Sequence, residues 1–256
     1  MYKDMECDLK NICAFLKDFL QIDLFQDMAY NGLQVEGKKQ VVNIATAVSA
    51  SLSVIKKAVD LKVDLLLVHH GLILKGKEAP ITLAMKEKLK LLLHHEINLL
   101  AYHLPVDAHQ ECGNNWAAAA ALGWQNLQPF GTFLGKQIGV KGEFLRMSRE
   151  QFREQLEDFY GHPAHLAPGG HEEVSSAALV SGGSYKLIHE AADNGVDCFV
   201  TGNFDEPVWH DAVERKINFF ALGHAATEKI GIRLLGEKLH REFHLTHTFI
   251  DEHNPF

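Results

Sequence analysis

Two stretches of this chain repeat each other. Residues 58–68, AVDLKVDLLLV, align without a gap with residues 191–201, AADNGVDCFVT. INLLAYH (97–103) aligns in the same way with INFFALG (217–223). A helix-strand-helix-strand unit present twice constrains the fold strongly, because each copy has to bury the same apolar strands against its own helices. Two related sheets facing each other would bring equivalent strand ends around one cleft.

The rest of the chain follows the same rhythm. Leu9, Ile12, Cys13, Leu16, Phe19 and Leu20 fall at helical spacing, and Asn31-Gly32 in YNGLQVEG signals a turn. VVNIATAVS reads as a strand, SLSVIKKAVDLK as a helix capped by Ser51 or Ser53, and DLLLV as a strand. ITLAMKEKLKLLLHHE is a helix, INLLAYH a strand, and NNWAAAAALG a helix closed by Gly123. The second copy runs as strand SSAALVSGG, helix SYKLIHEAADNG, strand DCFVTG, helix EPVWHDAVERK, strand INFFALG and one long helix, HAATEKIGIRLLGEKLHREF. This alternation predicts an α/β fold with a largely parallel sheet. The first repeat covers about 41–124 and the second about 175–250; residues 125–174 form an irregular connecting segment with short β-like runs and one helix, SREQFREQLEDFY.

Composition narrows the function classes. The chain has 256 residues with 46% hydrophobic and 23% charged residues, ordinary for a soluble globular protein. Its net charge of -8 argues against a broad nucleic-acid face. The charged start, MYKDMECDLK, lacks the apolar core of a signal peptide, and no run of apolar residues is long enough to span a membrane. Cys7, Cys13, Cys112 and Cys198 form no C-x-x-C pair, so reduced thiols in a cytoplasmic protein are expected.

The sixteen histidines matter by position. DLLLV ends in His69-His70-Gly71, INLLAY in His103 with Asp107 four residues on, and INFFALG in His224 with Glu228 four residues on. Ligands of open α/β sheets bind beyond the carboxyl ends of strands. Imidazole nitrogen with carboxylate oxygen suits zinc, iron or manganese. One ion rarely needs so many donors; two ions roughly 3.5–4 Å apart would use them well. His69 and His70, adjacent on a strand, diverge and so serve different ions better than one. Taken singly, each has a plainer reading: a core histidine bonded to a carbonyl, a turn aspartate, a surface His/Glu pair. Ser181-Gly182-Gly183-Ser184 fits either a phosphate cradle or a plain tight turn.

YNGLQVEG, VHHGLILKG, AYHLPVDAH with GNNWAAAAALG, SGGS, TGNFDEPVWHDA and GHAATEKIGIRLLGEKL stand in the order found in the Nif-three-like family, which the chain resembles over nearly its whole length. Many members carry the name GTP cyclohydrolase 1 type 2 homologue. The resemblance is to the short bacterial form, since residues 125–175 are too few to hold the inserted domain of the long form. It implies a Nif-three-like fold of two intertwined, duplicated α/β repeats with mixed sheets, and a toroidal homohexamer built as a trimer of dimers. It also implies two divalent ions per chain; the ligand set accepts zinc, iron, manganese or nickel. His69 and Asp107 would hold one ion, His70 and His224 the other, and Glu228 would bridge. His103 and His210 match polar positions near the family site and become candidates for proton transfer, although HLPVDAH departs from the Asn-containing version common in the family.

The function these readings imply is metal-dependent hydrolysis of a nucleotide or related substrate, GTP if the family's name is apt. The alternative is a non-catalytic metal-binding scaffold or regulatory partner that forms a ring. Binding of nucleic acid is a third reading, disfavoured by the acidic balance.

Overall fold

The computed structural model describes residues 7–77 and 80–256. Most of the segment on which the absence of a leader was read, residues 1–6, lies outside the described residues. In chain order the strands are β1 (Cys7–Asp8), β2 (Gly32–Val35), β3 (Gln40–Val41), β4 (Asn43–Ser49), β5 (Leu65–His70), β6 (Asn98–Ala101), β7 (Gln125–Phe133), β8 (Lys136–Ser148), β9 (His165–Pro168), β10 (Glu173–Leu179), β11 (Cys198–Thr201), β12 (Asn218–Ala221) and β13 (Thr246–Phe249). The helices are α1 (Leu9–Phe19), α2 (Leu52–Asp60), α3 (Leu83–His94), α4 (Leu104–Ala108), α5 (Asn114–Ala121), α6 (Arg149–Tyr160), α7 (Ile188–Asp193), α8 (Val208–Arg215), α9 (His224–Thr227) and α10 (Lys229–Phe243). No described helix is long and apolar enough to cross a membrane.

The chain divides into two compact units, Met1–Val106 with Ile232–His253, and Asp107–Gly231 with Asn254–Phe256. The first carries a five-stranded sheet in the order β13-β4-β5-β6-β2. Its strands are parallel except for the edge strand β2. Ser51 is the cap of α2, its hydroxyl accepting the Val54 N–H at 3.1 Å. Leu66, Val68, Leu99 and Ala101 of β5 and β6 pack with Val54, Ile55 and Ala58 of α2 in one buried cluster, so the apolar runs are buried strands, as their composition requires.

The second unit has a six-stranded mixed sheet, β7-β8-β10-β11-β12-β9. Only its centre, β10-β11-β12, is parallel. The stretch expected to be irregular supplies β7, β8 and β9, all paired antiparallel. Its sheet character is hard to read from sequence because β7 contains Pro129 and Gly131 and is exposed along most of its length, which erases the apolar alternation that marks a strand. The other difference lies near the chain's end. The long helix expected from His224 to Phe243 is two helices, interrupted at Glu228, whose φ of -111° leaves the helical region.

The duplication is visible down to single hydrogen bonds. Leu65 pairs with Asn98 in the first sheet, and their aligned counterparts Cys198 and Asn218 pair in the second. Asn98 is fully buried; its Oδ1 accepts the Gly37 N–H at 2.7 Å and its amide donates to the Lys38 and Asp64 carbonyls at 2.8 and 3.0 Å. Asn218, also buried, accepts the Gly170 N–H at 3.1 Å and donates to the His171 carbonyl at 2.9 Å. Asp64 accepts the N–H groups of Val42 and Asn43, at the start of β4, and Asp197 accepts those of Ser175 and Ser176 in β10. Each repeat thus fastens its strand starts with one Asp and one Asn. Asn98→Ala leaves the Gly37 N–H and the Lys38 carbonyl without their partner, while the Asp64 carbonyl keeps the backbone N–H of residue 98, so urea denaturation of the variant is expected to show a loss of about 1–3 kcal/mol. An unchanged midpoint would mean that the network is dispensable.

Candidate metal centre

In the first unit, β5 delivers its two histidines at the carboxyl end of the strand. His69 is fully buried, and its Nδ1 donates to the Tyr102 carbonyl at 3.0 Å. His70 is half-buried, with Nδ1 3.0 Å from the Ser49 hydroxyl. Fixing Nδ1 on a carbonyl or hydroxyl leaves Nε2 as the nitrogen suited to a metal, the arrangement that orients most metal-binding imidazoles. The two rings lie 4.8 Å apart at 51°. Gly71 follows, where a Cβ would run into the Gln34 side chain, so the chain must turn here without a side chain.

His103, at the end of β6, joins them: ligand nitrogens of His69, His70 and His103 lie within 4.8 Å of one another. His103 is held differently. Its Nδ1 donates to Asp27 Oδ1 at 2.9 Å, and Asn31 Oδ1 accepts its backbone N–H at 2.7 Å. Asp27 is buried and also accepts from the Ala29 and Leu104 N–H groups and the Asn31 amide. Burial pushes its carboxyl up, but the bond to His103, the charge of that ring and the remaining donors together outweigh this and hold it at about 2. Sequence reasoning missed Asp27: it sits in no recognisable spacing, and only folding brings it to the end of β6.

In the second unit, Asp107 and Glu228 are buried, at 5% and 3% exposure. Asp107 Oδ1 accepts from the Asn114 amide at 2.8 Å and the Ser181 hydroxyl at 2.9 Å, which orients the carboxylate. Asn114 in turn accepts the Gly231 N–H, tying α5 to the start of α10. Glu228 Oε1 lies 3.1 Å from His224 Nε2, so the pair expected from its spacing forms despite the helix break. Gly182 sits beside them at φ +65°, and a Cβ there would collide with Glu228 Oε1. The SGGS stretch is a tight turn: the Gly182 N–H is bound to Thr227 Oγ1 at 3.0 Å and the Ser184 hydroxyl to the Ser181 carbonyl at 3.2 Å. His210 stands on α8 with 67% of its side chain exposed, 3.7 Å from Glu206, and belongs to none of the ligand clusters among the described residues.

Each unit therefore holds donors of metal-binding type at its strand ends. The donor set fits a divalent cation on chemical grounds. Carboxylates as deeply buried as Asp107 and Glu228 are costly without positive charge nearby, and a metal ion supplies it.

Residues 7–255 match the family described as Duf34/NIF3 (NGG1p interacting factor 3). The chain belongs to the Duf34/NIF3 family. A relative from Chlamydia pneumoniae, named GTP cyclohydrolase 1 type 2 homolog, is 46% identical over 97% of this chain and 100% of its own length. One of the same name from Yersinia pestis is 41% identical over 94% of this chain and 96% of its own. Among solved structures, protein ybgI, described as of unknown function, superposes with a TM-score of 0.91 at 37% identity, covering 98% of this chain and 100% of that one. Protein TTHA1606 from Thermus thermophilus gives a TM-score of 0.90 at 36% identity over 98% and 100%. The mixed α/β fold is thus that of the Duf34/NIF3 proteins, as the motif order predicted.

Proposed function

We propose that this Duf34/NIF3 protein is a metal-dependent hydrolase acting on a nucleotide or related substrate, with two divalent ions per chain. His69 and Asp107 serve one ion, His70 and His224 the other, and Glu228 is shared. The observation that carries the reading is the deep burial of three ionisable side chains at strand ends, His69, Asp107 and Glu228. Divalent ions in such a set supply Lewis acidity and make water nucleophilic at neutral pH. The chain's own part is to hold the donors and move protons. The bond to Asp27 fixes the Nδ1 proton of His103, so Nε2 is the atom that accepts a proton from water or returns one to a leaving group. His210, exposed on α8, is the alternative proton carrier, and an undiminished rate in His210→Ala together with a collapsed rate in His103→Ala assigns the role to His103.

The names of the relatives make GTP the first substrate to try. The decisive experiment pairs elemental analysis of the purified chain with a turnover screen of nucleotides and phosphoesters. About two ions per chain and metal-dependent release of product are expected. Bound metal without turnover on any substrate would replace the hydrolase by a metal-holding scaffold or regulatory partner; no metal after loading would end both readings. We also propose a cytoplasmic homohexamer, for which light scattering should give six times the chain mass, and a monomer would refute it.

A further inference from the structure

We propose that two cavities flanking Phe204 in the second unit form one binding site for a planar nitrogen heterocycle whose edge offers two neighbouring N–H donors, the class that includes guanine. The inference rests on the hydrolase reading and deepens it, by naming where the ring of the substrate sits beside His224.

The larger cavity, about 410 Å³, lies over the ends of β11 and β12 and is lined by His162, His165, Asn203 and Phe204 among others. The smaller, about 210 Å³, shares His165 and Phe204 and adds Asp205, Glu206 and Trp209. Together they reach the size of ordinary small-ligand sites. Phe204 and Trp209 are 50% and 53% exposed, and the Phe204 ring lies 4.8 Å from that of His165 at 45°. Open aromatic rings side by side in a concave surface are platforms for a flat ring, because every heterocyclic base has a π-face to stack on them.

Gly202 and Gly223 also line the larger cavity, and neither position has room for a side chain. A Cβ on Gly202 would meet the Gly182 carbonyl and the His224 Cα, each at 2.7 Å. One on Gly223, at φ +86°, would meet the His162 ring at 2.8 Å. Both Cβ positions are already filled by atoms of this unit, so the two glycines let the His162 ring and the start of α9 pack closely at the edge of the cavity. The polar groups then match an edge. The Asn203 side-chain amide makes no hydrogen bond to the described residues of its unit, and it offers a donor and an acceptor together. Asp205 and Glu206 line the far end, and a carboxylate accepts two parallel N–H donors, such as a ring N–H and an adjacent amino group.

Equilibrium dialysis of guanosine and inosine against the full-length chain tests this. Nucleosides carry no phosphate, and the chain can be stripped of metal with a chelator, so the outcome does not depend on turnover or on the ions. Saturable guanosine binding is expected, tighter than that of inosine, which lacks the amino group. Phe204→Ala should weaken it about tenfold or more, while Phe204→Tyr, which keeps the ring, retains it. Asp205→Asn combined with Glu206→Gln should erase the preference for guanosine over inosine. No saturable binding, or binding indifferent to Phe204→Ala, would overturn the site, and a preference that survives the double substitution would overturn its reading of the edge. Neither failure would touch the metal-dependent hydrolase itself, which stands or falls on elemental analysis and turnover.

Discussion

Replacing Glu228 by alanine is expected to cost the chain most of its bound metal, and with it any turnover. The carboxylate is 3% exposed, pairs with His224 at 3.1 Å and is the donor assigned to both ions. Losing an end ligand weakens one ion; losing the shared one weakens both. Elemental analysis should therefore fall from about two ions per chain to below one. The effect on stability follows from linkage. A metal present at a thousandfold excess over its Kd stabilises the folded chain by about 4 kcal/mol, and a variant that no longer binds it loses that increment. Thermal unfolding with and without added metal reads the difference: the wild type should gain stability on loading and Glu228→Ala should not. A variant that keeps two tightly bound ions would disprove the shared role.

Asp27→Asn is the second large effect. Asparagine is nearly the same size but brings an amide N–H₂ where one acceptor oxygen stood, so it cannot accept all four bonds that Asp27 takes from Ala29, Asn31, His103 and Leu104. His103 then loses the group that fixes its proton on Nδ1. Where His103 is the proton carrier, the rate should fall by about 10²–10⁴ with metal content unchanged. Retained turnover would leave Asp27 as a purely structural residue. The pH dependence of stability reads the structural part by itself. The folded carboxyl sits at about 2, below its ordinary value of 3.8. A depressed carboxyl stabilises the fold above its unfolded pKa and loses that contribution as pH falls through the folded one. Wild type should thus shed roughly 2 kcal/mol between about pH 4 and pH 2 on account of this group. In Asp27→Asn that part of the acid transition should be missing.

The core elements, and the polar residues that follow them, were readable from the sequence because they rest on local signals. Apolar runs bounded by helices gave β5, β6, β11 and β12, and the chemical type of His69, His70, Asp107, His224 and Glu228 marked their ends. The duplication was detectable from a few aligned positions because Asp64 with Asn98, and Asp197 with Asn218, are held by the same backbone geometry in each repeat. Strand β8 showed as a short β-like run, but β7 was not legible because it is exposed along most of its length and carries no apolar period. The helix break at Glu228 escaped because residues 224–243 keep helical spacing on both sides of it.

What the sequence alone determined is the set of repeated core strands, the order of the motifs and the kinds of donor atom, since these depend on spacing along the chain and on side-chain chemistry. Tertiary structure decided the rest. It set Asp27 against His103 across a sequence separation of 76 residues, turned Nδ1 of His69 onto the Tyr102 carbonyl, and assembled the aromatic cavities around Phe204. Those are contacts between segments far apart in the chain, selected by packing and by the need to satisfy buried polar groups, and no local pattern encodes them.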